Sequence, residues 1–329
     1  IQAVDSMPAC FSRGTTNYQA VVCVKDADVA IDGFKVDGAF TTGTNKGLSG
    51  IIYNNADGAI TNSDVRNTRN APPTPPDDNP LDDLVYNDKA YGIFVYNDSA
   101  DEKSIEISGN RVADFSKNGI LVLANDTDTE VVVKNNQVIG EGRTVGIAQN
   151  GIQVKGDNTT GEISGNHITD LLYVGKNWVA TGILVYSDVN VINNTITNGH
   201  NAIYIEDSTV TVSGNDLQIV PGAGYAYGIS IISNHSTTAN EKAADTAEVF
   251  DNVVRFVGNA VEGDQLYGLE VYQGNKRSDK TLKADVHDNT VTGFTNGIGL
   301  AIYSNDSGLL EVSADKNTLT DNETDFYIG

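Results

Sequence analysis

Arg143, Lys155, His167, Tyr173 and Lys176 fall in one stretch of the chain, between Glu141 and Ala180. Side chains of these types can take and return a proton at a carbon beside a carboxylate, while an Arg or Lys holds the carboxylate's charge. No paired motif links them. A plainer reading therefore stands beside the chemical one: basic residues scattered at ordinary density, with His167 a solvated turn residue after Asn166. A second set is aromatic. Phe94, Tyr96, Tyr186, Tyr204 and Tyr272, with the single Trp, Trp178, could offer ring faces to the apolar C–H faces of sugars.

A third set is acidic. Asp77, Asp78, Asp82 and Asp83 crowd "PPDDNPLDD", and Asp126, Asp128 and Glu130 crowd "NDTDTE". Calcium takes roughly six to eight oxygen ligands, which flexible acidic loops can supply. Calcium is thus the cofactor to consider, although neither segment matches an EF-hand or a glycine-rich nonapeptide, and solvated acidic loops are the alternative. No organic cofactor is expected, because phosphate loops, dinucleotide fingerprints, serine elbows and zinc clusters are not visible.

These residues are carried by a repeat. Asn118 to Gly140 reads "NGILVLANDTDTEVVVKNNQVIG", Asn150 to Asp170 reads "NGIQVKGDNTTGEISGNHITD", and Thr181 to Gly199 reads "TGILVYSDVNVINNTITNG". Aligned on "GI" or its variants, the units start at Gly50, Gly92, Gly119, Gly151, Gly182, Ala202, Gly228, Gly268 and Gly297. Their spacing varies from 20 to 42 residues, the signature of a solenoid. Each unit reads as three short strands, with an Asn at a matching place: Asn62, Asn110, Asn136, Asn166, Asn194, Asn215, Asn252, Asn289, Asn317. Period-two alternation sends Ile and Val inward, and stacked units bury that stripe against the same stripe about 4.8 Å away. The Asn is expected to tolerate a left-handed bend and to hydrogen-bond along the column; the Gly is expected to permit another tight corner.

The pattern resembles the right-handed parallel β-helix of the pectate-lyase-like superfamily, in particular the carbohydrate-binding and sugar-hydrolase-type repeats. "DADVAIDGFKVDGA" (Asp26 to Ala39) looks like an early coil of such proteins, and the resemblance runs from about Ala20 to Gly329. It implies an all-β, single-stranded right-handed parallel β-helix of about nine or ten coils, with residues 1–19 as an N-terminal cap segment and a Pro/Asp-rich insertion at about 65–90. It also implies a polysaccharide or glycan partner. Under that resemblance the basic cluster is the place for a lyase or a uronate epimerase. The chain has neither the Asp-Pro-His-Asp signature of alginate epimerases nor the Lys/Arg ladder of the lyases. The competing class is a non-catalytic surface scaffold: an adhesin, a surface-layer component or a viral receptor-binding spike.

Function in a solenoid collects in insertions and on one outward ladder. The insertions are Val65 to Ala90, Glu141 to Gln149, Leu171 to Ala180, Gln218 to Tyr227 and Ser233 to Val249. Within the last, "ANEKAADTAE" (Ala239 to Glu248) is the best helical candidate. The outward residues of the first strand form two columns. One is Phe94, Leu121, Gln153, Leu184, Tyr204, Ser230, Glu270; the other is Tyr96, Leu123, Lys155, Tyr186, Glu206, Ile232, Tyr272. Such an apolar face is either a sugar platform or a surface that an insertion or another subunit covers.

The 44 acidic and 21 basic side chains give a net charge of −23, which repels phosphate backbones, so no nucleic-acid partner is expected. No apolar run is long enough for a membrane span. Cys10 and Cys23 read as a local disulfide and an oxidising compartment, with two buried thiols as the alternative. Seven Asn-x-Ser/Thr sequons, from Asn97 to Asn322, fit an extracellular or cell-surface location. The chain starts at Ile1 and reads as a mature or trimmed product, and "TDFYIG" offers no obvious polar cap. Self-association through the apolar ladder or the uncapped ends is the remaining partner expectation.

Overall fold

The computed structural model of the protein describes residues 1–2, 7–39, 48–69, 90–125, 127–175, 178–222, 224–234, 244–259, 264–274, 279–305 and 307–329. Three parallel ladders run the length of the chain. The first holds Leu48–Asn54, Tyr91–Asn97 and Asn118–Ala124 and continues to Thr324–Ile328. The second holds rungs such as Lys103–Ser108, Thr129–Lys134 and Thr281–His287. The third is a ten-stranded sheet from Lys35–Asp37 to Thr318–Thr320, which sets the number of coils at ten. Asn150–Ser164 and Thr181–Ile192 run through the corner between the first two ladders and join them into one twenty-stranded sheet. Each coil closes on itself with three short strands, and parallel crossovers of this kind wind right-handed.

Burial follows the period-two rule. Ile93, Ile120, Ile152, Ile183 and Ile203 are register mates and are each 0 % exposed. Val112, Val138 and Ile168 form the matching column of the third ladder. One apolar cluster runs from Val24 to Ile302, and each such side chain adds about 1.5–3 kcal/mol of burial.

The glycines of the "GI" pairs have a different role from the expected corner. None of Gly92, Gly119, Gly151 and Gly182 adopts a positive φ. A Cβ at Gly119 would sit 2.5 Å from Val138 Cγ1 and 2.8 Å from the Gly151 carbonyl oxygen. Glycine is needed there because the first ladder packs directly on the third. The last "GI" pair is also displaced: Leu269 pairs with Leu300, so the ninth unit is Gly299-Leu300 and not Gly297-Ile298.

The Asn column is an unbroken hydrogen-bonded stack from Asn110 to Asn317, each Nδ2 donating to the next Oδ1 at 2.9–3.1 Å. The left-handed residue is the one before it: Gly109, Asn135, Gly165, Asn193, Gly214 and their successors. Asn62 belongs to that preceding position, with φ 50°, and Ser63 takes the column place by donating its N–H to Asn110 Oδ1. The expected helix near Ala239 to Glu248 is not formed where the chain is described. Ala244–Phe250 is a strand, because Asp245, Ala247 and Val249 alternate inward against Leu282, Ala284 and Val286.

The N-terminal segment is an antiparallel hairpin of Ala9–Arg13 on Thr16–Lys25, closed by the Cys10–Cys23 disulfide. Helix pairing begins slightly before Ala20, since Gln19 already pairs with Leu48. No described helix is long and apolar enough to cross a membrane.

Candidate functional site on the outer face of the first ladder

The two outward columns hold in register through the stack. Phe94, Leu121, Gln153, Leu184, Tyr204, Ser230 and Glu270 are successive partners, as are Tyr96, Leu123, Lys155, Tyr186, then Glu206, Ile232 and Tyr272. The face they make has two different halves.

In the N-terminal half the hairpin folds over the columns. Phe11 stacks on Tyr18 at 4.7 Å and on Tyr96 at 4.8 Å between ring centroids, and it meets Phe94 at 5.7 Å. Phe94 is 1 % exposed and Tyr96 4 %, so these two expected sugar contacts are instead the floor of a small apolar cluster. The cover is the N-terminal hairpin, and no described part of the long insertions contributes to it. Residues 70–89 lie outside the described residues.

In the C-terminal half the face carries tyrosines and carboxylates. Tyr186 and Tyr204 are 6.2 Å apart and half-buried. Tyr227 stacks on Tyr267 at 5.5 Å, and Tyr272 meets Tyr303 at 4.9 Å. Beneath them Glu270, 2 % exposed, accepts hydrogen bonds from Ser230 Oγ at 2.5 Å and from the Tyr303 hydroxyl. Tyr204 donates to Glu206 at 2.7 Å. Burial pushes the Tyr204, Tyr227 and Tyr303 hydroxyls well above the ordinary phenol range, with the carboxylates of Glu206 and Glu270 adding to it. Burial also raises Tyr186 to about 12. These hydroxyls are therefore protonated donors at any physiological pH.

Burial raises the Glu270 carboxyl above its usual range, against the two hydroxyl bonds that lower it. A carboxyl whose folded pKa is raised contributes its full stability below the ordinary value near 4.5 and loses it as the pH rises. Glu270→Gln should therefore be more stable than the parent at pH 8, by on the order of 1 kcal/mol, and should lose that advantage at pH 4. Urea melts at the two values read this directly; an advantage that is larger at pH 4 contradicts the assignment.

Among the described residues the basic set does not gather. Lys155 is exposed on the first ladder, its Nζ 5.1 Å from the centre of the Tyr186 ring. His167 opens the third-ladder rung His167–Tyr173 on another face; it is exposed, and its N–H donates to the Asn136 carbonyl at 2.8 Å. Arg143 is exposed on the third ladder opposite Leu172, and Tyr173 is 8 % exposed in the core. Lys176 lies outside the described residues. Trp178 is 70 % exposed on the segment before Thr181–Ile192.

Of the acidic set, Asp77, Asp78, Asp82, Asp83 and Asp126 lie outside the described residues. Asp128 is exposed, and its carbonyl accepts the Lys103 N–H at 2.9 Å. Among the described residues no group of three or more His, Cys, Asp or Glu is placed to hold a metal ion.

Glu270 and Ser230 are legible in the sequence as polar members of an apolar column, whereas Tyr227 reads only as the end of the insertion Gln218 to Tyr227 and Tyr267 is not among the candidate residues. Their signal is a Tyr immediately before the Gly of two consecutive units, Tyr227-Gly228 and Tyr267-Gly268. The match to curated proteins is empty: none matches the chain. The family model for the right-handed β-helix region matches residues 20–242, more than half of the chain, and with ten closed coils, three parallel ladders and a continuous Asn stack in hand, the protein belongs to the right-handed β-helix family.

Proposed function

We propose that the protein binds an extracellular polysaccharide on the outer face of its first ladder, in the C-terminal half. One observation carries the reading: a single sheet face is sealed by an aromatic hairpin at one end and left with half-buried tyrosines and carboxylates held by hydroxyl donors at the other. Large apolar surfaces are ordinarily covered, and one rimmed by polar groups marks a binding surface. The test is co-sedimentation with insoluble polysaccharides. Tyr227→Ala with Tyr267→Ala should weaken retention about tenfold or more. Thr211→Ala, on the second ladder, should leave it unchanged. Equal loss in both variants would place binding elsewhere.

The same observations favour binding over processing. Lys155 and His167 project from different ladders, so the proton-transfer set expected of a lyase or epimerase is not assembled on one face. A non-catalytic surface protein, of the adhesin, surface-layer or receptor-binding kind, is the second reading. Unsaturated-uronate absorbance that appears on incubation with uronate polysaccharides, and that is lost in Lys155→Ala, would reverse the preference.

A further inference from the structure

We infer that the ligand of this face is an uncharged polysaccharide chain laid along the helix axis and held by tyrosine hydroxyls. The inference rests on the glycan reading and narrows it to one substrate class.

Charge is the first ground. The first-ladder rungs Asn201–Glu206, Tyr225–Ser233, Gln265–Gln273, Ile298–Ser304 and Thr324–Ile328 contain no Lys or Arg, and neither does Thr181–Ile192. The same rungs carry Glu206, Glu270 and Asp325. The nearest cation in the columns is Lys155, one coil earlier and drawn over the Tyr186 ring. Among the described residues of these rungs no cation offsets the desolvation of a uronate or sulfate group, which would enter a negative field. A bridging cation would need a cluster of acidic ligands, and the described residues of the face supply none.

Ring orientation is the second ground. Tyr225 and Tyr227 are 9° from parallel, Tyr227 and Tyr267 7°, and Tyr267 and Tyr303 28°. The rings of Tyr225, Tyr227, Tyr267 and Tyr303 turn their faces to one another. What the surface offers is ring edges and hydroxyls, so the flat platform suggested by the aromatic content is not formed. Hydroxyl donors suit a ligand whose surface is itself a row of hydroxyls and ring oxygens.

Register is the third ground. Tyr227 and Tyr267 are direct partners on neighbouring coils, and so are Tyr272 and Tyr303. Neighbouring rungs lie about 4.8 Å apart. An extended chain parallel to the axis therefore meets Tyr227 and Tyr267 on successive coils, with Tyr303 on the next coil in the neighbouring column, its ring centre 6.3 Å from that of Tyr267.

The test is affinity electrophoresis of the whole chain through six soluble polymers. Four are uncharged: xyloglucan, mixed-linkage β-glucan, galactomannan and dextran. Two are uronates: polygalacturonate and alginate. Each run is repeated at low and high salt, and with calcium or a chelator. Retardation by at least one uncharged polymer, indifferent to salt and calcium, is the expected result. Tyr227→Phe with Tyr267→Phe keeps both rings, and should weaken that retardation about tenfold while leaving the melting curve in place. Retardation confined to the uronates, or abolished by salt or chelator, overturns the uncharged ligand and leaves the glycan reading standing. Undiminished retardation of the double variant overturns recognition by these hydroxyls. No retardation in any polymer overturns both readings.

Discussion

Asn166→Ala is expected to lower the free energy of unfolding by about 4 kcal/mol, two buried groups at about 2 kcal/mol each. Asn166 is 1 % exposed and sits mid-stack. Its Oδ1 accepts from the Asn136 N–H and from Asn136 Nδ2, both at 2.9 Å. Its Nδ2 donates to the Val133 carbonyl and to Asn194 Oδ1, both at 2.9 Å. Alanine removes an acceptor from the buried Asn136 N–H and a donor from the Val133 carbonyl. Only an amide supplies an acceptor and two donors from one planar group, which is why Asn recurs here. Asn317 is at the end of the stack and half-buried, so Asn317→Ala should cost roughly half as much. Urea melts with an unchanged m-value would measure both. A loss within about 1 kcal/mol for Asn166→Ala would show that the stack contributes register and little stability.

Acidification is expected to destabilise the protein by about 3 kcal/mol through one histidine. His200 is 0 % exposed, and a Cβ on Gly222 would run into its ring, so the loop after Val220 lies directly on it. Burial holds its pKa down to about 4 from 6.5, against smaller upward pulls from the Tyr225 backbone and the Asp264 carboxylate. The unfolded chain therefore binds the proton first. The His200 contribution is complete above about pH 6.5 and is lost as the pH falls towards 4. The lowered carboxyls of Asp32, Asp37 and Glu106 also lose stability as the pH falls, from their ordinary values of 3.8, 3.8 and 4.5 downward, and Glu270 acts with the opposite sign. The difference between the parent and His200→Gln isolates the effect. The variant's stability should be flatter between pH 6.5 and 4 by that amount; parallel profiles would place the acid response on other groups.

Why the fold was legible and the site was not can be argued from particular residues. Ile120 and Val122 point inward because backbone geometry alternates side chains, and Ile152 and Val154 follow because the next coil repeats the same geometry one spacing away. Such order needs only local sequence, so it predicted both outward columns without error in register. Asn62 and Gly297 were misplaced by one and two residues, since the first and last units drift from the repeat and only pairing fixes them. Phe94 and Tyr96 were legible as outward aromatics but not as covered ones, because their cover, Phe11, lies some eighty residues away in sequence.

The sequence by itself determined the coil, the inward stripe, the Asn stack and the disulfide pairing of Cys10 with Cys23, all set by periodicity or short separation. Tertiary structure alone decided which residues meet. It split Lys155 from His167, although they are twelve positions apart, because the chain passes through the second ladder between them. It gathered Ser230, Glu270 and Tyr303 from positions forty and thirty-three residues apart onto one carboxyl group. It also stacked the rings of Tyr225, Tyr227 and Tyr267 face to face. Distance along a solenoid is measured in coils, and loops of unequal length between the coils conceal that distance from the sequence.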